Sequence, residues 1–295
     1  MAMMEMRHVE PFEDATPLLS EPKVLREKAE ADGLLFFQGL LDPVKVNALR
    51  AQILQLCDLH GWVEEGTSID KGIANGEAMV CESRDPRWIA FYNDLQRVRD
   101  FHALALDDAI IGALEVLFGE SVLPHPRNIC RVVFPDTATH STPPHQDNLY
   151  IGGSEQTWTV WIPAGDCPVS LGGLAAAKGT RKLGRLEDVE GQGAGGRQVL
   201  IDDDSTWVGG DYACGDAIFL HSLTVHQGCD NVSGDRLRLS LDYRYQPRSH
   251  PVRADSLLPH MQWLTWEEVY ADWEDGDPVR EYWGEWDLDV FKAQR

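Results

Sequence analysis

The residues best suited to chemistry lie in the segment Thr142-Pro143-Pro144-His145-Gln146-Asp147-Asn148-Leu149-Tyr150. His145 and Asp147 are two residues apart, so on an extended segment their side chains point to the same side. An imidazole and a carboxylate placed in this way can hold one metal ion between them. The spacing therefore predicts two ligands of a metal site.

A third ligand is available downstream, in the segment 214–226, which contains His221 and His226. Two imidazoles and one carboxylate on one face of a divalent metal form the facial triad of non-haem Fe(II) oxygenases, which leaves coordination positions open for substrates. Short His/Asp pairs are common by chance, so this interpretation depends on the rest of the chain. A metal hydrolase or isomerase with the same ligands around zinc is an alternative.

The elements that position these residues begin with a helical part at about residues 20–120. Apolar spacing, an Asp42-Pro43 start and glycine stops predict helices at 22–32, from 43 to about 59, 86–96 and 108–118. Residues 34–37 are predicted to form a short buried strand. Residues 61–82 are predicted to form a loop that contains at most one strand, at about 78–81.

After Ser121 the pattern changes to short strands separated by proline, glycine and aspartate. The predicted strands lie near 128–134, 145–151, 156–162, 173–177, 197–201, 216–220, 224–227 and 236–246. Many short strands with turns between them indicate a sandwich or jelly roll. Residues 191–196 match G-x-G-x-x-G, but a strand-like stretch follows them instead of the helix that a dinucleotide site requires.

The composition excludes several classes of partner. The 295 residues carry 48 acidic and 26 basic side chains, a formal net charge of −22, which disfavours nucleic acid and anionic membrane surfaces. The six cysteines show no disulfide spacing, and the chain has neither an apolar signal segment nor a run long enough to span a membrane. We expect a cytoplasmic protein with one domain, residues 1–295, that acts as a monomer or homodimer.

Several segments, taken in order with the His145-Gln146-Asp147 motif, resemble the phytanoyl-CoA dioxygenase-like family of Fe(II)/2-oxoglutarate-dependent oxygenases. They cover about residues 120–247 and are Tyr150, Trp161-Ile162-Pro163-Ala164-Gly165-Asp166, Leu171-Gly172-Gly173-Leu174, Gly215-Asp216 leading into His226, and Asn231-Val232-Ser233 followed by Arg236 and Tyr243. The order and spacing of these segments are much more specific than any one of them.

The resemblance implies a fold and a set of cofactors. The fold is mainly β with flanking helices, and its double-stranded β-helix (jelly roll, cupin-like) core lies at about 121–247, before a Trp-rich C-terminal helical extension at about 248–295. The metal is Fe(II), held by His145, Asp147 and His226, and the co-substrates are 2-oxoglutarate and O2. His226 is preferred to His221 because the family places this ligand about ten residues before an arginine, after an Asn-x-Ser turn.

The far carboxylate of 2-oxoglutarate requires a permanently charged, bidentate partner when it is buried. Arg236 is expected to fill this role, because the family's seven-residue step from its arginine to an aromatic residue matches Arg236 and Tyr243. Arg238, two residues later on the same strand face, is the alternative. Weaker candidates for contacts with 2-oxoglutarate are Asn128, Thr159 and Trp161, and ordinary core packing explains each of them equally well.

The chain departs from the family pattern at Gly228, two positions after the distal histidine, where a small hydroxylated residue is frequent. The glycine removes a possible hydrogen bond to 2-oxoglutarate, for which Thr224 or Tyr243 would compensate. A second departure, Gly179-Thr180-Arg181 in place of Gly-Ser-His, falls in a turn outside the metal shell.

The activity implied by the resemblance is hydroxylation of an unactivated C–H bond of a small molecule, such as a natural-product intermediate, with release of succinate and CO2. Asp147 supplies the carboxylate that halogenating relatives lack, which favours hydroxylation over halogenation. Epimerisation, desaturation and cyclisation stay open. A non-catalytic cupin-like binding module is the hypothesis from a different class.

Two regions are expected around the core. The loop 61–82, Tyr150, Trp158 and the segment 244–253 should surround the mouth of the site, where Arg244, Arg248 and Arg253 would either meet an anionic group of a substrate or balance the surface charge. In the C-terminal extension, one helical face holds Trp266, Val269, Tyr270 and Trp273. This face is expected to pack on the β core, with a dimer interface or a lid as alternatives.

Overall fold

The structure is a computed structural model that describes residues 9–78, 85–136, 141–202 and 204–292. Most of its helical residues precede the main strands. The helices are α1 (Pro22–Asp32), α2 (Pro43–Leu59), α3 (Pro86–Gln96), α4 (Arg99–Ala103), α5 (Asp108–Phe118), α6 (Asn148–Ile151) and α7 (Trp266–Val269).

The four helices expected from the sequence are confirmed, and local capping explains their bounds. Asp42 precedes α2 and accepts a hydrogen bond from the Val44 amide at 2.9 Å, with proline at the first helical position. Helix α1 ends at Gly33, whose φ of 73° lies in the left-handed region that glycine tolerates best. Capping residues therefore explain where these two helices begin and end.

The strands follow the expected pattern with a few additions. They are β1 (Val9–Glu10), β2 (Leu34–Phe37), β3 (Val122–Val133), β4 (Trp158–Pro163), β5 (Leu174–Ala177), β6 (Asp188–Glu190), β7 (Arg197–Val199), β8 (Trp207–Val208), β9 (Ala217–His221), β10 (His226–Gly228), β11 (Arg238–Pro247), β12 (Val252–Arg253) and β13 (Val290–Phe291). The buried strand at 34–37 is confirmed as β2, and most of the predicted core strands overlap an observed strand.

Two sheets form the core. A five-stranded sheet has the order β2-β9-β4-β11-β3 with antiparallel neighbours throughout, and a four-stranded sheet has the order β1-β8-β5-β10. The small ribbons β6-β7 and β12-β13 lie outside these sheets. Two facing sheets of short strands form the expected double-stranded β-helix.

Residue alternation in the five-stranded sheet separates two environments. On β11, Leu239, Leu241, Tyr243 and Tyr245 join the main apolar cluster with the helices. The intervening residues of β11 are Arg238, Ser240, Asp242, Arg244 and Gln246, all of them buried and polar. Because successive side chains of a strand point to opposite faces, one face of β11 packs against the helical layer and the other carries the polar groups of a site.

The predicted strand at 145–151 is wrong. Only His145 pairs as a strand residue, through an isolated antiparallel bridge to His226, and the chain then turns into α6. Asp147 already has helical backbone angles (φ −61°, ψ −27°). The convergence of His145 and Asp147 therefore comes from a turn and not from strand alternation. The possible strand at 78–81 falls mainly outside the described residues.

The C-terminal aromatic face packs on the helical flank and not on the β core. The Trp273 indole nitrogen donates a hydrogen bond to the Arg97 carbonyl at 2.8 Å, and the His102 ring lies 5.9 Å from the Trp266 ring and 5.5 Å from the Trp273 ring. The helix itself is only one turn long, since α7 ends at Val269. The aromatic side chains thus cover α3 and α4, so an expectation based on helical spacing identified the right residues but the wrong partner.

Among the described residues, no helix is long and apolar enough to cross a membrane. In the part of the chain that the structure describes, Cys57, Cys167, Cys214 and Cys229 are free thiols.

The contrast between the two faces of α2 yields a stability prediction. Leu49 is 1% exposed in the main apolar cluster, whereas Val44 is 74% exposed on the same helix. Leu49→Ala should lower the free energy of unfolding by about 2–5 kcal/mol, because it removes buried apolar contacts and leaves a cavity. Val44→Ala, the matched control, should change it by no more than about 0.5 kcal/mol. Urea unfolding would test both variants, and equal effects would contradict the packing described above.

Candidate active site

Three buried side chains converge at one end of the jelly roll. His145, Asp147 and His226 each offer a ligand atom, and these atoms all lie within 4.8 Å of one another. The two imidazole rings are 4.2 Å apart between centroids, and His145 Nε2 lies 3.8 Å from Asp147 Oδ1. This is the donor set that the sequence predicted, and its spacing suits one metal ion.

Main-chain pairing between two segments places the histidines side by side. The His145 amide donates to the His226 carbonyl at 2.9 Å, and the His226 amide donates to the His145 carbonyl at 3.0 Å. Strand β10 is itself paired with β5, which ties the bridge to the four-stranded sheet. The next turn is closed by the Tyr150 amide, which donates to the Asp147 carbonyl at 2.9 Å and brings this carboxylate beside the rings.

The hydrogen bonds of the imidazoles select the tautomer that binds metal. Nδ1 of His145 lies 2.8 Å from the Pro143 carbonyl, and Nδ1 of His226 lies 3.0 Å from the Thr224 carbonyl. A carbonyl only accepts, so each Nδ1 carries the proton and each Nε2 presents a lone pair. Burial, with the neighbouring His226 ring, lowers the pKa of His145 to about 3. His145 is therefore neutral, as a metal ligand must be.

The surroundings of Asp147 keep its carboxylate ionised. Burial alone would raise the pKa of this carboxyl, but Arg244 and the two imidazoles outweigh burial and hold the pKa below its usual value. The Thr159 hydroxyl also donates a hydrogen bond to Oδ2 of Asp147. Outer-shell contacts of this kind orient a metal-binding carboxylate.

His221, the competing histidine, lies outside this group. Its ring packs edge-on against Trp158 with centroids 5.4 Å apart, and its Nδ1 accepts a hydrogen bond from the Leu223 amide at 3.1 Å. The strand pairing puts His221 opposite Trp158, whose side chain belongs to the core between the sheet and the helices. Trp158 therefore does not border the mouth of the site, contrary to the expectation from the sequence.

A cavity lies directly beside the triad. Its walls are formed by Arg131, Thr142, His145, Asp147, Thr159, Trp161, Gly173, Leu174, His226, Gly228, Arg238 and Asp242. Two of the residues singled out for contacts with 2-oxoglutarate, Thr159 and Trp161, are thus brought to the site. Both side chains come from β4, where they alternate with residues of the apolar core.

Arg238, and not Arg236, lines this cavity. Arg238 is buried on the polar face of β11, where its Nη1 donates to the Ser240 hydroxyl at 2.6 Å. The Arg236 side chain is 45% exposed, next to Asp235, and its residue belongs to the turn before β11. Hydrogen bonds from the Asn231 side chain to the carbonyls of Arg236 and Val133 hold this turn at the surface. The expected position of Arg236 is corrected accordingly, since the strand begins two residues later than the sequence pattern indicates.

Asn128 also lies away from the cavity. Its side-chain amide is buried 3.2 Å from His102 Nδ1, on the side of the helical layer. Arg131, on the same strand, lines the cavity instead and forms an ion pair with Asp242 at 2.8 Å. Sequence reasoning missed Arg131 and Asp242, although the alternation of polar residues along β11 is the signal that would have identified Asp242.

Neither expected substitute for the missing hydroxyl at position 228 reaches the cavity. The Thr224 hydroxyl donates to the Gly33 carbonyl at 2.6 Å, and the Tyr243 hydroxyl donates to the Phe101 carbonyl at 2.8 Å. A Cβ atom on Gly228 would meet no atom closer than 3.5 Å. A side-chain atom at this position would therefore lie in ordinary van der Waals contact with Thr142 and Arg238.

The sequence profile of the phytanoyl-CoA dioxygenase family matches residues 29–239. The chain belongs to this family. It is an oxidoreductase of the class that uses iron and 2-oxoglutarate, in agreement with its buried triad of two histidines and one aspartate.

Two relatives named 1-deoxypentalenic acid 11-beta-hydroxylase are similar to this chain over almost its whole length. The relative from Streptomyces arenae is 28% identical over 284 residues, with 90% of this chain and 93% of the relative covered. The relative from Streptomyces exfoliatus is 26% identical over 280 residues, with the same coverage of 90% and 93%.

Solved structures share the fold. The epimerase SnoN, solved with Fe3+, alpha ketoglutarate and nogalamycin RO, aligns with a TM-score of 0.57 and 20% identity over 78% of this chain and 85% of SnoN. The alpha ketoglutarate-dependent carbocyclase SnoK aligns with a TM-score of 0.55 and 20% identity over 83% of this chain and 92% of SnoK. These likenesses confirm the double-stranded β-helix predicted from the sequence.

The geometry of the triad predicts which histidine is required for iron. His226→Ala and Asp147→Ala should abolish stoichiometric Fe(II) binding, because each variant leaves only two of the three ligands. His221→Ala is the matched control and should retain iron. Metal analysis after anaerobic reconstitution would measure the occupancy, with circular dichroism to confirm that each variant is folded. Full iron occupancy in His226→Ala, or its loss in His221→Ala, would contradict the assignment.

Proposed function

We propose that this oxygenase hydroxylates an unactivated C–H bond of a small natural-product intermediate and converts 2-oxoglutarate to succinate and CO2. The observation that carries the proposal is the presence of the triad and a buried arginine, Arg238, in the walls of one cavity. An iron site alone would also suit a hydrolase, which has no use for the arginine. A metal and a bidentate carboxylate anchor together suit a co-substrate that chelates the metal at one end.

The residues present fit both groups. The Nε2 lone pairs of His145 and His226 and the ionised Asp147 carboxylate would hold Fe(II), which, when bound with 2-oxoglutarate and O2, supplies the oxidising chemistry. Arg238 would hold the far carboxylate of 2-oxoglutarate, because a guanidinium stays charged when buried and presents a planar pair of donors. Its hydrogen bond to Ser240 orients the guanidinium, and Gly228 lies in the same cavity wall.

Thr159 and Trp161 would complete the 2-oxoglutarate site. Thr159 fixes the orientation of Asp147 through its hydroxyl, and Trp161 forms an apolar wall that packs on Tyr212 at 4.7 Å between ring centroids. Exclusion of water from the loaded cavity would limit side reactions of the oxidant. The protein's contribution is therefore to orient the co-substrate and to exclude water.

Hydroxylation is favoured over the other outcomes of the same chemistry. The relatives of 28% and 26% identity, which align over 90% of the chain, are both named hydroxylases. The epimerase and the carbocyclase share only the fold at 20% identity. Asp147 supplies a carboxylate ligand, which disfavours halogenation.

We place the enzyme in the cytoplasm, acting as a monomer or homodimer. The free thiols of Cys57, Cys167, Cys214 and Cys229 are consistent with a reducing compartment.

Anaerobic titration with Fe(II) and 2-oxoglutarate should produce the weak visible charge-transfer band of the metal chelate. Admission of air should then make the band decay with slow formation of succinate, because the oxidant is also consumed without substrate. The zinc-loaded protein is the control and should form no succinate. Folded protein that shows neither the band nor succinate would refute the oxygenase and favour a binding module.

The contrast between Arg238 and Arg236 provides a test of the anchor. Arg238→Gln should raise the KM for 2-oxoglutarate by roughly 30- to 150-fold, since a lost bidentate charged contact costs about 2–3 kcal/mol. Arg236→Gln removes an exposed charge and should leave this KM within about twofold of the wild-type value. Steady-state succinate assays would measure both constants. A large effect of Arg236→Gln with none of Arg238→Gln would return the role to Arg236.

A further inference from the structure

The Arg244 guanidinium is buried next to the metal site, and the carboxylate that it approaches also belongs to that site. Its side chain is 8% exposed, and the carboxylate that it approaches is the predicted iron ligand Asp147, at 3.6 Å from Nη2 to Oδ1. Its Nε is fully buried and has no hydrogen-bond partner in the described part of the chain. A buried charged group that is not fully hydrogen-bonded is costly, and a bound anion would offset that cost.

Arg127 is a second guanidinium in the same region. It is partly buried on β3, and its Nη1 donates long hydrogen bonds to the main-chain carbonyls of Asp255 at 3.3 Å and Pro259 at 3.2 Å. Burial lowers the pKa of Arg127, and the nearby Arg244 lowers this pKa further. The two guanidiniums therefore repel each other. Each carboxylate near them also interacts with another group, so neither arginine has a carboxylate of its own.

The neighbouring carboxylates already have partners. Asp242 pairs with Arg131 at 2.8 Å, and Asp255 pairs with Arg253 at 2.6 Å. Asp147 is needed by the metal. In a chain with 48 acidic and 26 basic residues, two adjacent arginines without a dedicated carboxylate indicate that an anion from outside the chain completes the cluster.

The position of this cluster separates it from the 2-oxoglutarate anchor. Arg238 and Arg244 lie on the same face of β11, six residues apart, a distance of about 20 Å along the strand. In register, Arg244 faces Thr159 and His125, whereas Arg238 faces Val133. A five-carbon diacid held by Arg238 and the metal does not extend to Arg127, so the cluster serves a second anion.

The C-terminal segment borders the cluster on its outer side. Arg253 Nη2 donates to the Tyr150 carbonyl at 3.1 Å, just after the triad segment, and His260 Nδ1 lies 2.6 Å from the Tyr92 hydroxyl. The carbonyls that receive Arg127 belong to this same segment. Arg127 therefore connects β3 to the C-terminal segment through the carbonyls of Asp255 and Pro259.

We infer that Arg127 and Arg244 form a subsite for the carboxylate of the primary substrate, which is a small apolar monocarboxylic acid. The inference rests on the proposed function and names its substrate class. Binding the carboxylate there would place the apolar remainder of the molecule at the metal and fix which C–H bond is presented. The substrate in the names of the two relatives, 1-deoxypentalenic acid, belongs to this chemical class.

Binding to the anaerobic, Mn(II)-loaded enzyme with saturating 2-oxoglutarate tests the subsite without turnover. The probes are cyclohexanecarboxylate, octanoate and 1-deoxypentalenic acid, each paired with its uncharged primary amide, and calorimetry gives the dissociation constants. At least one acid should bind about tenfold or more tightly than its amide, because the amide lacks the charge that the arginines recognise. Further 2-oxoglutarate should not displace the acid.

Variants assign this preference to the cluster. Arg127→Gln should reduce the preference for acid over amide to less than about twofold, and Arg127→Lys should restore part of it, because the charge is retained. Arg248→Gln is the matched control, since Arg248 is exposed and stacks on Trp286 at 4.6 Å; it should keep the full preference. Circular dichroism would verify folding, and if Arg127→Gln fails to fold, the Arg127→Lys result decides.

The inference is overturned if no acid binds better than its amide, if 2-oxoglutarate competes with the acid, or if Arg127→Gln or Arg127→Lys keeps the full wild-type preference. These outcomes are independent of the oxygenase assay. Acid binding without succinate formation would leave the subsite standing and refute the proposed function, whereas succinate formation without a preference for acids would do the reverse.

Discussion

The reciprocal main-chain hydrogen bonds between His145 and His226 are the contact on which the active site depends. They join two segments that are 81 positions apart in the chain, as the residue numbers show. This single antiparallel bridge continues the pairing of β10 with β5 and sets the two imidazoles side by side. The turn into α6 then adds Asp147. Backbone pairing of this kind is rigid, so the ligands are pre-organised before a metal binds.

The alternation of β11 gives the site its polar wall without weakening the core. Its odd-numbered residues from Leu239 to Tyr245 pack with the helical layer, while the even-numbered ones face the other way. One strand can thus contribute to the main apolar cluster on one face and place Arg238, Asp242 and Arg244 near the metal site on the other. The helical layer, which the aromatic C-terminal residues cover in turn, stabilises the sheet from behind and leaves the opposite face available for chemistry.

The charge near the triad is opposite in sign to the net charge of the chain. The chain is strongly acidic, yet the interior around the triad holds four arginines, Arg127, Arg131, Arg238 and Arg244. A negative exterior repels anions at long range, so the selection of anionic small molecules must come from short-range contacts in the interior. Two of these arginines belong to the cavity that would receive 2-oxoglutarate, and the other two form the proposed substrate subsite. The arrangement gives each carboxylate its own recognition group.

The sequence by itself determined the class of fold, the family and the three residues that converge as a candidate metal site, because these follow from motifs that can be read along the chain. Capping residues and glycine stops defined the helices. The His-x-Asp motif indicated two members of the triad, and the resemblance to the family, with its Asn-x-Ser turn and following arginine, indicated the third. The tertiary structure decided what depends on register. Arg236 and Arg238 are two residues apart, so strand alternation would place them on the same face. Strand β11 begins only after the turn held by Asn231, and this start shows which of the two arginines is buried. Asn128 and Arg131 lie on the same strand but face opposite sides of the sheet. The aromatic residues of the C-terminus pack on the helical flank. These outcomes depend on contacts between distant segments, for which local spacing carries no information.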